Sequence, residues 1–357
     1  YDLRHTEVVA SPSAIVVVRK LSPDATGALG LFLKAQGAPQ QVWAQADSAA
    51  TGPVPGGSYT YVQRLSVQQK GHAIHLGPAL GIRLSPTVNV GASFFVVYEQ
   101  ARAFSELFAD LSSDSATGPR SALMSQYSRS SSTLSGQGAL GVQWKFDRDW
   151  QVGAVLRTPI MLLLYSFHSD SLDQKTVDGG WLPPVATTKD ASSGLLLSSL
   201  APPRLHLGIA RLFSWGWISV EGNISPPKGA TDFLREQQLV WNLRLGVRSD
   251  LSETVSVGAG LFTDRTPGRS VDRFADGRID YYGASAGVEL RKPFLLREGG
   301  DQSKVVVTTT LALRYGLGRG NAARVVLDTV ANAVVDSPPG KATVNELDLY
   351  IGSGLSF

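Results

Sequence analysis

Apolar and polar residues alternate with a period of two along much of this chain. In residues 88–98 the even positions are apolar, whereas the odd positions begin with polar or small residues such as Asn89, Gly91 and Ser93. The segments 140–146, 239–248 and 305–315 repeat the pattern. Because successive side chains of a strand point to opposite faces, this period predicts strands with one apolar face and one polar face.

The same pattern, read along the whole chain, predicts thirteen strands. Several of them span about 10–16 residues, longer than the roughly 5–6 of an average soluble strand. They lie near 13–20, 26–36, 59–84, 88–103, 132–146, 150–167, 202–213, 217–225, 237–249, 254–264, 278–292, 303–316 and 343–357.

Short and long connections between these strands alternate strictly. The short turns include 21–24, 84–87, 147–149, 214–216 and 249–253. Long polar connections fall near 37–58, 104–131, 168–200, 227–236, 265–277 and 317–342. Bacterial outer-membrane barrels sort their connections in this way, with short periplasmic turns and long extracellular loops. The pattern therefore predicts an all-β fold, a transmembrane antiparallel β-barrel of about 14 strands, forming a single domain over residues 1–357 in the bacterial outer membrane.

Composition supports a barrel and excludes several alternatives. The 357 residues include 37 glycines, no cysteine and only 18% charged residues, and the mean hydropathy is +0.00. The longest apolar runs, 14–18 and 160–165, are too short for a spanning helix, which needs about 20 apolar residues. A net charge of +3 is too weak to indicate a nucleic-acid partner.

The two ends of the sequence carry further signals. The last strand alternates from Asn345 to Phe357 and ends in an aromatic residue, which resembles the signal that the barrel assembly machinery reads. Thirteen strands is an odd number, whereas single-chain bacterial barrels have an even number. Residues 1–11 look like the tail of an outer loop, so we expect an N-terminally incomplete sequence and fourteen strands in the whole barrel.

Several hairpins resemble those of FadL-type outer-membrane transporters. The stretch 11–32 is similar to the second hairpin of that family, and Gly77-Pro78-Ala79-Leu80-Gly81 opens another similar hairpin over 77–92. Residues 138–159, ending in Arg157-Thr158-Pro159, and 201–208 with 215–223 extend the resemblance over most of the chain. The resemblance implies fourteen strands and passive transport of hydrophobic compounds by lateral diffusion through the wall. The family's N-terminal hatch with its Asn-Pro-Ala signature is absent from this sequence, and some relatives are structural barrels of secretion or motility assemblies. A scaffold barrel in a larger envelope complex is therefore the alternative.

One outer segment has the spacing of a short amphipathic helix. Phe104, Leu107, Phe108 and Leu111 fall at i, i+3, i+4 and i+7 within 101–112. In the family, outer-loop helices form a hydrophobic capture groove with the following loop, which here contains Leu195, Leu196 and Leu197. The alternative is a helix that packs on the barrel rim or on a partner protein.

A lateral opening in the wall is the second expectation that the resemblance raises. Lys70 and Gly71 interrupt the alternation of the strand at 59–84, and glycine within a strand often marks a bulge or kink. In the family such a kink opens the wall sideways. The alternative is an ordinary exit of a long strand above the membrane, where alternation is no longer enforced.

Charged residues on the polar faces are expected to point into the lumen. They act either as a selectivity field or as mutual pairs that satisfy charges excluded from lipid. These residues are Lys145, Arg157, Arg244, Arg248, Arg314, Glu346 and Asp348. Tryptophans near strand ends, at positions 144, 150, 215, 217 and 241, are expected to form outward interfacial girdles.

No residue pattern indicates catalysis, a metal or a cofactor. His72 and His75 are three apart on one strand, so their side chains point to opposite faces and cannot chelate one metal. The expected partners are outer-membrane lipid and lipopolysaccharide, the barrel assembly machinery through Phe357, and protein partners of an envelope complex if the scaffold alternative holds.

Overall fold

A computed structural model describes residues 14–35, 40–46, 53–54, 57–113, 120–177, 180–193, 198–229, 236–268, 277–298, 301–328 and 333–356. These segments are strands and short turns, and none of them is helical. Accordingly, within the described ranges there is no helix that is long and apolar enough to cross a membrane.

The strands follow one another along the chain with few interruptions, and several are more than twenty residues long. They are β1 Ala14–Ser22, β2 Ala25–Ala35, β3 Gln40–Ala46, β4 Pro53–Val54, β5 Gly57–Arg83, β6 Val88–Ser113, β7 Arg120–Lys145, β8 Trp150–Arg157, β9 Ile160–Val177, β10 Gly180–Trp181, β11 Val185–Ser193, β12 Ser198–Ala201, β13 Arg204–Phe213, β14 Gly216–Ser225, β15 Val240–Asp250, β16 Val255–Asp264, β17 Gly277–Glu298, β18 Asp301–Asp328 and β19 Ala333–Ser356.

The chain crosses the wall back and forth, and one crossing, which we call a pass, can consist of several strands in succession. Each pass pairs antiparallel with the next pass along the chain. β2 and β3 both pair with β5, β8 and β9 both pair with β7, and β11, β12 and β13 return along β9 and β8. The strand pairing is therefore entirely sequential from β1 to β19. At the two ends of this order, β1 and β19 run in the same direction, and each pairs on one side only among the described residues.

Alternation along the strands separates an apolar outer face from a polar inner face. On β6 the outward residues Phe94, Val96 and Tyr98 are exposed, whereas the inward Val97 is 6% exposed. On β19 the outward Leu347 and Ile351 are 67% and 74% exposed. Apolar side chains exposed on one continuous face, with polar side chains opposite, are the arrangement of a barrel wall that faces lipid.

The short turns all lie at one end of the barrel, which we call the short-turn end. Two of them share one design, in which a serine hydroxyl accepts hydrogen bonds from the backbone amides two and three residues later. Ser85 Oγ lies 3.0 Å from the amide nitrogen of Val88, and Ser252 Oγ lies 3.0 Å from that of Val255. Both serines lie in a five-residue segment of the form Leu-Ser-X-Thr-Val, where X is any residue. The local sequence therefore determines where the chain reverses.

The turn between β13 and β14 depends on a glycine. Gly216 has a φ of 151°, and a Cβ there would lie 2.0 Å from the backbone oxygen of Arg248 on β15. Only glycine adopts this conformation at such a close approach without strain.

The predicted long loops are partly strand. β6 and β7 continue to Ser113 and Arg120, and β18 and β19 continue to Asp328 and Ala333, through segments that we expected to be loops at 104–131 and 317–342. The apolar band is the part of the outer wall that faces lipid. Beyond it no lipid enforces alternation, so the sequence loses its period of two, although the strands remain paired by backbone hydrogen bonds.

Candidate lumenal site

The inner faces of β14 to β18 form a concave site in the barrel wall. Its volume is about 530 Å³, and its middle consists of small residues that leave room next to the sheet. These residues are Gly246, Gly258, Gly260, Ser285, Gly287 and Ala312. The indole of Trp217 and the phenyl ring of Phe262 also line the site, together with charged and hydroxyl side chains at its edges. We call this mainly apolar recess the lumenal cavity.

The small residues are there because neighbouring strands leave little room for side chains. A Cβ on Gly260 would lie 2.9 Å from the backbone oxygen of Leu245 and 3.2 Å from Ser285 Oγ. A larger residue at this position would displace its neighbours, so the recess is a property of the wall itself.

A network of charged side chains closes the cavity toward the short-turn end. Glu289 Oε1 lies 3.0 Å from Arg248 Nη2 and 2.7 Å from Arg291 Nε. Ser256 Oγ, which is nearly buried, lies 3.1 Å from Arg248 Nη2 and 2.5 Å from Asp250 Oδ1. We call these five residues the lower belt. Two positive and two negative charges meet in it, so it is neutral overall.

A second network lies at the other edge of the cavity. Arg314 Nη1 lies 2.8 Å from Asp348 Oδ2 and 3.4 Å from Glu346 Oε2, and Arg314 Nη2 lies 4.0 Å from Asp264 Oδ2. The guanidinium carbon of Arg314 also lies 4.3 Å from the ring centre of Phe262. This upper belt, Asp264, Arg314, Glu346 and Asp348, therefore holds the Phe262 ring against the cavity by a cation–π contact.

The inner wall from β8 to β15, which we call the basic arc, carries more positive than negative charge at the level of the upper belt. Arg157 and Arg204 are directly opposed in the register of β8 and β13, on the inner face, and neither forms an ion pair with a described residue. Arg244 lies 3.6 Å from Glu221, which also lies 3.4 Å from His206 Nδ1. Like charges directly opposite each other on a sheet are destabilising, and this arrangement is the exception to the pairing found in both belts.

All seven predicted lumen charges lie on the inner face. Arg248 belongs to the lower belt, and Arg314, Glu346 and Asp348 belong to the upper belt. Arg157 and Arg244 belong to the basic arc, and Lys145 follows Gln143 along the inner face of β7. Whether these charges select solutes stays a prediction.

The predicted capture helix at 101–112 is wrong, because these residues are part of β6. Phe104 and Phe108 lie on the outer face of the strand, whereas Leu107 and Leu111 occupy positions on the opposite face. The helical spacing therefore does not bring the four together. Leu195, Leu196 and Leu197 lie outside the described residues.

The strand has no bulge at Lys70 and Gly71, and the lateral opening expected there stays a prediction. β5 keeps its register with β6 through both residues, which oppose Arg102 and Ala101. The unbroken register is compatible with the alternative, an ordinary exit of a long strand above the membrane. The β5–β6 ladder instead lacks pairs at Gly77 and Pro78, where proline has no amide hydrogen to donate.

Sequence reasoning placed one cavity residue on the wrong face. Trp217, expected in an outward girdle, has the same parity as the inward Ser219 and Glu221 and lines the cavity. The sequence does indicate the inner face, because Trp217 is two and four residues from the polar Ser219 and Glu221 on the same strand. Phe262 was not singled out, because one aromatic residue among the glycines of β16 carries no distinctive spacing.

A separate cluster lies outside the barrel at the end opposite the short turns. His168 is on the outer face of β9, beyond the last exposed apolar residue of that strand, Leu164. Its Nδ1 lies 2.5 Å from Asp190 Oδ1 and its Nε2 lies 2.8 Å from Asp170 Oδ2. The hydrogen bonds to Asp190 and then to Asp170 raise the pKa of His168 above its ordinary value. Of His72 and His75, the former is outward and exposed, and the latter lies on the inner face.

Similarity to known proteins is found at the level of structure. No family model matches the chain, and no curated protein matches it in sequence. The toluene transporter TodX of P. putida superposes with a TM-score of 0.57 at 12% identity, over 96% of this chain and 81% of TodX. A FadL homologue of Pseudomonas aeruginosa gives a TM-score of 0.54 at 12% identity, over 96% of this chain and 77% of that protein. The monoaromatic hydrocarbon channel CymD gives 0.52 at 13% identity, over 85% of this chain and 77% of CymD. The chain therefore has the β-barrel fold of FadL-type transporters, as the sequence resemblance predicted.

Proposed function

We propose that this protein is a passive channel for hydrophobic compounds in the bacterial outer membrane, and that the lumenal cavity is a site on the solute path. The observation that carries the proposal is the cavity itself, a recess lined by small residues and two aromatic rings inside an otherwise polar lumen. A hydrophobic solute must find apolar surface along its path, and the small residues and aromatic rings of the cavity supply it.

The two belts support the same proposal. In the lower belt two arginines offset two carboxylates, and in the upper belt Arg314 lies within 4.0 Å of all three carboxylates. Each charged group at the border of the cavity therefore has a counter-charge nearby, although the upper belt has more negative than positive charges. A hydrophobic solute therefore leaves the ion pairs intact as it passes, whereas an ion would have to compete with them. The fold supports a channel as well, since the similar structures are a toluene transporter and a monoaromatic hydrocarbon channel.

Uptake by whole cells tests the proposal. Radiolabelled toluene and oleate serve as two probes, and initial uptake is compared between cells that carry the barrel and cells with an empty vector. Uptake of at least one probe above the vector level is expected. Uptake of neither probe would overturn the proposal.

Variants that fill the cavity identify the path. Ala312→Phe and Ser285→Leu place apolar bulk at inward positions that already carry a Cβ, and we expect uptake to fall to the vector level. Ala210→Phe is the matched control, because Ala210 is also inward but does not line the cavity. Heat-modifiable migration in a gel verifies that each variant is folded. Equal uptake by the filled variants and the wild type would exclude the cavity from the path.

The scaffold alternative predicts a different result. A barrel that belongs to an envelope machine would be recovered from mild detergent with stoichiometric partner proteins and would take up neither probe. Recovery of the barrel alone, together with uptake, supports the channel.

A further inference from the structure

The outer wall carries a groove near the short-turn end, on the side of the barrel formed by β7, β8, β13 and β14. Its volume is about 770 Å³, and its lining is almost entirely apolar. Nine outward residues line it, among them Val142, Trp144, Ala154, Leu207 and Gly222. They belong to the face that is exposed elsewhere on the barrel, so the groove opens outward and not into the lumen.

The groove exists because two small residues interrupt a row of large ones. Ala154 and Gly222 flank Leu207 in the same cross-strand row, opposite it in the registers of β8 and β14. Val142 lies on the far side of Ala154. The two small residues leave space beside Leu207, and this space forms the trough of the groove.

A cation lies at the end of this trough. Arg211 is outward on β13, one outward position beyond Ile209, which lines the groove. Its guanidinium carbon lies 5.4 Å from the ring centre of Trp150 and 5.0 Å from that of Phe213. Arg211 forms no ion pair with a described residue, although the adjacent turn contains Asp147 and Asp149.

Aromatic rings mark the level of this arginine. Phe146 stacks on Trp150 at 6.3 Å, and Phe213 stacks on Trp215 at 5.0 Å. Tryptophan and other aromatic residues collect at the depth of lipid headgroups. Arg211 therefore lies at headgroup level, and the groove extends from it toward the middle of the apolar band.

We propose that this surface binds one phospholipid, with its phosphate on Arg211 and an acyl chain in the groove. Planar guanidinium groups bind phosphate oxygens in pairs, and the two flanking rings hold the Arg211 guanidinium in place. The trough accepts a flexible hydrocarbon chain, and the order of the two parts, charge at the rim and apolar surface toward the centre, matches the order in a lipid molecule. The proposal rests on the membrane location proposed above, but not on transport.

Native mass spectrometry of the purified barrel tests the lipid site. Delipidated protein is mixed with dioleoyl phosphatidylglycerol, and the fraction that retains one lipid is measured as the collision energy rises. Wild type is expected to retain a single lipid. Arg211→Gln, and the groove-filling variants Ala154→Leu and Gly222→Leu, are each expected to lower the retained fraction at least threefold. The filling variants keep the outer face apolar, and a Cβ at Gly222 meets no atom closer than 3.8 Å, so folding is expected to be preserved.

Two controls separate this site from general lipid coating. Arg19→Gln removes an outward arginine at the same end of the barrel, away from the groove, and Ala259→Leu adds bulk to an outward position of β16. Neither is expected to change lipid retention. Equal losses in the controls and in the Arg211 variant would overturn the proposal, as would full retention by Arg211→Gln.

Two further arms identify the chemistry that is recognised. Dioleoylglycerol has the same chains without the phosphate, and its retention is expected to be weak and unaffected by Arg211→Gln. Inorganic phosphate at millimolar concentration is expected not to displace the phospholipid, because the acyl chain supplies part of the binding. Displacement by phosphate alone would overturn the lipid site in favour of a simple anion site. Because none of these measurements involves uptake, failure of the lipid site and failure of the channel can be told apart.

Discussion

Glu289 is the residue through which the lower belt is held together, so its replacement by glutamine is the sharpest test of that network. The carboxylate accepts hydrogen bonds from Arg248 and Arg291 at 3.0 and 2.7 Å, and its side chain is 25% exposed. Hydrogen bonds to charged groups contribute about 1.5–3 kcal/mol each, against about 0.5–1.5 kcal/mol for neutral ones. Glutamine retains neutral bonds but leaves two arginines short of one counter-charge. Because the site is partly hydrated, we expect a loss of about 2 kcal/mol in the free energy of unfolding.

Urea unfolding of the barrel from phospholipid vesicles, followed by tryptophan fluorescence, measures this loss. Glu221→Gln is the matched control, since Glu221 is also inward but its contacts to His206 and Arg244 are 3.4 and 3.6 Å long. Such loose pairs contribute about 0–1 kcal/mol. Added salt is expected to reduce the effect of Glu289→Gln, because ions screen partly exposed charges. The reasoning is refuted if Glu289→Gln costs no more than Glu221→Gln.

Three further results are expected. The pKa of His168 is raised in the folded state, so its ion pairs stabilise the outer hairpin below the ordinary histidine pKa and are lost as the pH rises through the raised value. Asp190→Asn should lower the His168 titration midpoint measured by NMR. An unchanged midpoint would count against the assigned contacts. Arg157→Gln should raise the free energy of unfolding by about 0.5 kcal/mol by relieving its repulsion with Arg204, and a loss of stability would show that the pair is neutralised. Gly216→Ala should cost about 2 kcal/mol or more because of its backbone conformation and close contact, whereas a cost below about 0.5 kcal/mol would contradict the turn geometry.

The sequence predicted the wall well because lipid imposes a simple rule on it. Outward positions such as Phe94 and Leu347 must be apolar, so the period of two is visible in the amino-acid sequence. Beyond the apolar band the rule lapses. Residues 101–112 then carry an accidental helical spacing, although their backbone remains in the β6 ladder.

The lumenal cavity could not be predicted, because it depends on register between strands that are distant in sequence. Gly246, Gly260 and Ser285 adjoin one another only when β15, β16 and β17 are paired at the observed offsets. Nothing in any one strand reports those offsets. The upper belt depends on register in the same way, since Arg314 and Asp348 are 34 residues apart.

The two matching serine turns at Ser85 and Ser252 have a consequence for how such a barrel can change in size during evolution. Each turn is encoded within a few residues, and every strand pairs only with the passes that precede and follow it. A hairpin that carries its own turn can therefore be duplicated or deleted as a unit. The remaining strands keep their directions and their inward and outward faces after such an event. Strand number is thus open to change by gene duplication in steps of two, without redesign of the strands that stay.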